Sequence, residues 1–199
     1  EMRELGLFVH EPSRAEAQSE TEGKLAREAK TIAEIAGADF NPRSTHQLAD
    51  LLFKDWKLPI VRVTPKGKPS TDEDTLRILL TTVGLLQKEQ KALLESLWRS
   101  RGLQGDLSRV LLPLRRRSAG GNVYEDGILR ADYTAHVPST GRISSGGDQN
   151  TQNIRKLLRR IIRPRPGHLF IISDYDQIEL RMMCALAGVR TYLEAFARG

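Results

Sequence analysis

Apolar residues recur at helical spacing through most of the first 114 positions. Leu25, Ala29, Ile32, Ala33 and Ala36 form one stripe that ends at Gly37, and Ser13 with Glu16 three residues later supplies a capping box ahead of it. The spacing predicts an amphipathic helix there. A second capping box, Ser44 with Gln47, opens a short helix striped by Leu48, Leu51 and Leu52, with Pro59 beyond its end. The string TPKGKPST (Thr64 to Thr71) reads as a Gly/Pro-rich turn leading to a third cap, Ser70 with Glu73, and to a stripe of Leu76, Leu79, Leu80 and Val83. Helical pattern continues through Leu86, Leu93 and Leu97, then through Leu103, Leu107, Val110, Leu111 and Leu114.

The pattern then changes. Residues 115–127 are rich in Arg, Ser, Gly and Asn, and Ile128, Arg130, Asp132, Tyr133, Ala135 and Val137 follow in strand-like alternation. A domain boundary is placed near residue 120. Ile154, Leu157, Leu158, Ile161 and Ile162 predict a helix with Arg155, Lys156, Arg159, Arg160 and Arg163 on its other face, stopped by Pro164 and Pro166. Leu169 to Ile172 is an apolar run long enough for a buried strand, and Ile178, Met182, Ala185 and Leu186 restart a helical period up to Gly188. The fold class is α+β, a mainly helical region followed by the start of an antiparallel sheet.

Composition narrows the function. The 199 residues are 39% hydrophobic and 28% charged, enough apolar content for a core, and no run approaches a membrane span. One cysteine, Cys184, excludes an internal disulfide framework, and His10, His46, His136 and His168 show no zinc-ligand spacing. No secretion signal is visible, which gives a cytoplasmic localisation in a reducing compartment, with no membrane and no disulfide partner. Net charge is +6, but residues 101–168 hold 13 Lys+Arg against 5 Asp+Glu, a net of +8, so the basic excess lies in one contiguous third. That third should meet an anionic partner. The basic face of residues 154–163 suits a phosphate backbone, a membrane surface or plain solvent, and the absence of Trp or Phe on its apolar side favours nucleic acid.

The candidate chemistry sits where the apolar run ends. Asp174, Asp176 and Glu179 crowd one strand-to-helix junction, and a carboxylate at a strand end is a rigid oxygen ligand for a hard divalent cation. The same residues could instead cap the following helix. The string ISDYDQIELR (Ile172 to Arg181) resembles the palm motif of family A DNA polymerases, usually DYSQIELR. Upstream, TGRISS (Thr140 to Ser145) and DQNTQNI (Asp148 to Ile154) resemble that family's TGRLSS and DPNLQNI. FNPRSTHQL (Phe40 to Leu48) and TPKGKPST resemble its thumb elements.

The resemblance implies a DNA-directed DNA polymerase fragment. It would add deoxynucleotides to a primer 3′-hydroxyl by two-metal phosphoryl transfer with Mg²⁺, its partners being primer-template DNA and deoxynucleoside triphosphates. It implies that residues 1–120 are a thumb-like DNA-binding region and residues 121–199 the N-terminal part of a palm. Asp174 would be a catalytic metal ligand, and Tyr175 would give the metal its backbone carbonyl. Glu179 would be catalytic and, with Gln177, nucleotide-binding, Glu179 excluding a ribose 2′-hydroxyl. Arg142, Gln152, Asn153, Lys66, Lys68, Ser70 and Thr71 would be DNA-binding. Asp176 replaces the family's serine, and the R-x-x-x-K fingers helix and the His-Asp-Glu element have no counterpart among these residues. Such a chain is expected to be inactive alone; the alternative is a catalytically silent DNA-binding module derived from a polymerase.

Overall fold

A computed structural model describes residues 5–82, 84, 86–135, 137, 139–146 and 150–198. Val83 of the third stripe, His136, and Asp148 and Gln149 of the DQNTQNI string lie outside the described residues. Two compact units divide the chain, Glu1–Arg163 and Pro164–Gly199. The compositional change near residue 120 therefore falls inside the first unit.

In the first unit, α1 (Glu11–Ala36) and α4 (Lys88–Asp106) are the long elements. The short α2 (Thr45–Ala49) runs into a π-helical stretch, Asp50–Asp55, and α3 (Glu73–Thr82) precedes α4. A second π-helical stretch, Leu107–Leu111, follows α4 directly. Strand β1 (Leu7–Val9) is the centre of a three-stranded antiparallel sheet, flanked by β2 (Ile128–Leu129) and β5 (Ile162–Arg163), with Phe8 opposite Ile128 on one side and Arg163 on the other. A separate hairpin pairs β3 (Asp132–Thr134) with β4 (Ser144–Gly146), Tyr133 opposite Ser145.

Two apolar clusters hold this unit. One gathers Val9, Ala17, Val110, Leu111, Leu129, Leu158 and Ile161; the other gathers Ile32, Leu48, Leu52, Leu76, Leu79, Leu93, Leu94 and Leu97. Helix α1 gives Ala17 to the first and Ile32 to the second, and α4 with its π-helical continuation does the same in reverse order. At 1.5 Å per residue, the 26 residues of α1 span about 39 Å, long enough to reach both.

The caps are partly those the sequence predicts. Ser44 caps α2, its hydroxyl accepting the Gln47 N–H at 3.3 Å. Helix α1 begins earlier than Ser13, with His10 as its N-terminal flanking residue and Pro12 in the first turn, where its fixed φ and missing N–H cost nothing. Ser13 instead receives Arg163 Nη2 at 2.9 Å. Asp72, not Ser70, caps α3, its Oδ1 accepting the Thr75 N–H at 2.8 Å, while Ser70 Oγ accepts the Asp72 N–H at 3.2 Å.

Two expectations are corrected. Residues 154–163 do not form an α-helix: Lys156–Ile161 is a 3₁₀-helix, and Ile162 is drawn into β5 by pairing with Val9. Leu158 and Ile161, three apart, are one 3₁₀ turn and point into the first cluster, whereas Leu157 is 85% exposed. Leu169–Ile172 is neither a strand nor buried, Ile171 being 96% exposed. A strand needs a neighbouring backbone to satisfy its N–H and C=O groups, and among the described residues the second unit contains no strand to pair with. That unit contains α5 (Ile178–Leu186) and α6 (Arg190–Arg198), with Gly188 at φ 67° in the turn between them. Of the predicted α5 stripe, Ile178, Met182 and Leu186 stay exposed, and Cys184 is the helix's buried residue.

Candidate nucleic-acid interface

The first candidate surface is the turn between residues 62 and 72. Val63 faces Pro69 across an antiparallel bridge, the Thr64 N–H donates to the Lys68 carbonyl at 2.7 Å, and Gly67, at φ 73°, donates to the Thr64 carbonyl at 2.9 Å. Gly67 takes the left-handed conformation that closes so tight a turn without a Cβ penalty. Lys66 and Lys68 consequently stand exposed at its tip. Ser70 and Thr71 do not share that exposure: each is 6% exposed, and the Thr71 carbonyl accepts the Arg101 guanidinium from α4. Burial pushes Arg101 down from the ordinary arginine range, opposed by the charges of Asp72 and Glu73. Below the turn lies a cavity of ≈ 1090 Å³, lined by His46, Asp50, Phe53 and Lys54 of the α2 region and by Lys66 and Lys68.

The second surface is built from residues 141–146 and 150–155. Arg142 and Asn153 are exposed, while Ser145 in β4 is buried. Gln152 Oε1 accepts the Ser145 N–H at 2.9 Å, and Gln152 Nε2 donates to the Ile143 carbonyl at 2.8 Å. Ser145 Oγ donates to Asn150 Oδ1 at 2.8 Å, and the Tyr133 and Thr151 hydroxyls meet at 3.0 Å. TGRISS and the NTQNI part of the second string (Asn150 to Ile154) are thus physically interlocked. The basic face beyond them is partly neutralised inside the unit, Arg155 pairing with Asp106 at 3.1 Å and Arg160 with Glu20 at 2.9 Å. Arg155 helps line a ≈ 600 Å³ cavity with Arg101, Arg109, Asn150 and Asn153.

The carboxylate junction lies in the second unit. Asp174 is exposed, Tyr175 is 80% exposed, and Gln177 holds φ 49°, a left-handed conformation uncommon for a residue with a Cβ. Gln177 thereby turns the chain into α5 and puts Glu179 in that helix's first turn, where a negative charge faces the positive end of the helix dipole. Asp176, the departure from the family string, is engaged by Arg181: Arg181 Nε donates to the Asp176 carbonyl at 2.8 Å and Nη2 lies 3.5 Å from its carboxylate. Tyr175, Gln177 and Glu179 line an open hollow of ≈ 350 Å³. Among the described residues no three His, Cys, Asp or Glu side chains are grouped to hold a metal ion, so these residues do not by themselves fit a two-cation site. None of the described helices is long and apolar enough to cross a membrane.

The structure thus places Lys66, Lys68, Ser70 and Thr71 on one turn, Arg142, Gln152 and Asn153 on one interlocked segment, and Asp174, Tyr175, Gln177 and Glu179 on one junction. Sequence reasoning missed Arg101, which lies thirty residues from Thr71 in sequence and meets it only in the fold, and Ser145 and Asn150, which sit inside the motif strings without any charge to draw notice.

The family model for DNA polymerase family A matches residues 12–199. The chain is 30% identical over 204 residues to DNA polymerase I of Lactococcus lactis subsp. lactis, covering 100% of this chain and 22% of that protein. It is 33% identical over 159 residues to DNA polymerase I of Aquifex aeolicus, covering 80% of this chain and 25% of that protein. Among solved structures it resembles the POL domain of Pol1 from M. smegmatis, in complex with DNA primer-template and dNTP, with a TM-score of 0.70 and 26% identity over 92% of this chain and 31% of that one. The chain therefore spans about a quarter of the length of these curated relatives, and its sequence and fold place it in DNA polymerase family A.

Proposed function

We propose that this chain is the primer-template-gripping part of a template-directed DNA polymerase that acts in the cytoplasm, with residues 1–120 as the thumb-like region and 121–199 as the N-terminal part of the palm. The observation that carries this reading is the family match over residues 12–199, which takes in every candidate residue. The exposed Lys66 and Lys68 suit duplex phosphates, and the exposed Arg142 and Asn153 suit the primer end. Buried Ser70 and Thr71 act by shaping the lysine turn. At the junction, Asp174 with the Tyr175 carbonyl is the chain's contribution toward Mg²⁺ in the polymerase family, and Glu179 with Gln177 its contribution toward the deoxynucleoside triphosphate. The described carboxylates do not converge on a cation site, which supports the reading that nucleotide addition draws on further residues. That same observation favours, as the second reading, a DNA-binding module without catalysis.

Anisotropy of a labelled primer-template across a salt series tests the grip. Log affinity is expected to fall linearly with log salt, and replacing Lys66 and Lys68 together should flatten the slope by about 0.9 for each phosphate left unneutralised, equally for all DNA sequences. Affinity indifferent to salt overturns the reading. In a primer-extension assay the chain alone is expected to yield no product; templated product that disappears on Asp174→Ala would show that it carries a complete site.

A further inference from the structure

We propose that Gln152 is a positioning residue rather than a DNA contact, clasping the strand behind Arg142 to the turn that carries Asn153. The inference rests on the DNA-gripping reading for its functional meaning and on geometry for its substance. Strand β4 has two edges. One pairs with β3, where Ser144 lies opposite Thr134 and Gly146 opposite Asp132. At the other edge the Ser145 N–H and the Ile143 carbonyl meet no strand among the described residues, and the Gln152 amide meets both, at 2.9 and 2.8 Å. A side-chain amide carries one acceptor and one donor group in the spacing of a peptide unit, so Gln152 stands in for the missing neighbour strand.

The clasp closes through the backbone as well. The Gln152 N–H is shared between Ser145 Oγ at 3.2 Å and Asn150 Oδ1 at 3.1 Å, and Ser145 Oγ donates to that same Asn150 oxygen. Ser145 is 5% exposed, so while the clasp holds its N–H is turned to Gln152 rather than to water. With both ends of its amide engaged by Ile143 and Ser145, Gln152 acts on DNA through the neighbours it holds: Arg142, next to Ile143 on one side, and Asn153 on the other. Glutamate keeps the acceptor for Ser145 but loses the donor to Ile143, and alanine loses both.

Amide hydrogen exchange on the DNA-free chain tests the clasp, and a mutant cycle with primer-template tests its use. Ser145 should be protected in the unsubstituted chain, exchange on the order of tenfold faster in Gln152→Ala, and stay largely protected in Gln152→Glu. The affinity cost of Gln152→Ala should largely vanish in an Arg142→Ala, Asn153→Ala background, because Gln152 acts through those two residues; a direct contact would cost the same in both. Ser145 exchange unaffected by Gln152→Ala, or strictly additive affinity costs, overturns the proposal. If the unsubstituted chain does not bind primer-template at all, the DNA reading fails, and the exchange result alone decides the clasp.

Discussion

At the residue scale, backbone conformation decides more than side-chain identity. A Cβ at Gly121 would lie 2.1 Å from the Arg115 carbonyl oxygen, a backbone atom that cannot swing away. At Gly105, inside α4, a Cβ would meet nothing within 4 Å. In urea unfolding, Gly121→Ala is expected to cost about 2 kcal/mol or more, and Gly105→Ala to stabilise by about 0.5–1 kcal/mol through helix propensity. Asp72 makes the matching point for charge. The Thr75 backbone N–H, against the opposing effect of burial, holds its carboxyl below the usual carboxylate range, with Ser70 and Arg62 adding to the lowering. A group depressed by folding stabilises above its unfolded pKa, about 4, and loses that contribution as pH falls through its folded value. Asp72→Asn, which keeps a capping oxygen, should therefore make stability less steep with pH below about 4 than in the unsubstituted chain, read by thermal unfolding from pH 6 to 3. The Ser44 cap was readable because Gln47 follows it at capping-box spacing; at residues 70–73 the same spacing pointed to Ser70 with Glu73, and only geometry chose Asp72.

At the scale of elements, period alone could not separate an α-helix from a tighter coil. Leu158 and Ile161, three apart, satisfy both an α-helical and a 3₁₀ stripe, and Leu157 is what distinguishes them, buried in neither cluster. Ile161→Ala is expected to cost about 2–5 kcal/mol and Leu157→Ala within about 0.5 kcal/mol, measured by urea unfolding of the two variants side by side. Equal costs would mean the segment is helical after all. The long helices α1 and α4 were legible because many repeats of one period accumulate, whereas strands of two or three residues, such as β2 and β5, leave too few alternations to read. Their existence depends on β1, more than a hundred residues away in sequence, and no local pattern reports a partner that distant.

For the whole molecule, the α+β class and the family strings were legible, because a string such as DYDQIELR carries its meaning in residue identity. What the strings could not show is that the first unit is organised around two apolar clusters bridged by α1 and α4, or that the Gln152 amide engages Ile143 and Ser145 of the same unit. The charge excess was legible only in bulk: part of the +8 of residues 101–168 is answered from outside that segment by Glu20 on α1, which pairs with Arg160.

The bare run Leu169–Ile172 has a consequence for handling the protein rather than for its chemistry. Four consecutive apolar residues with unpaired backbone are a template onto which another chain can lay itself, and Ile171, almost wholly in water, gains most from being covered. The purified chain is expected to self-associate as its concentration rises, with a mean mass above the 22.4 kDa of a monomer in sedimentation velocity. Ile171→Lys should return it toward the monomer without altering Ser145 protection in the first unit, since one charge on an open edge is enough to repel a second copy. Sedimentation that is concentration-independent in both proteins would show the run to be shielded in solution.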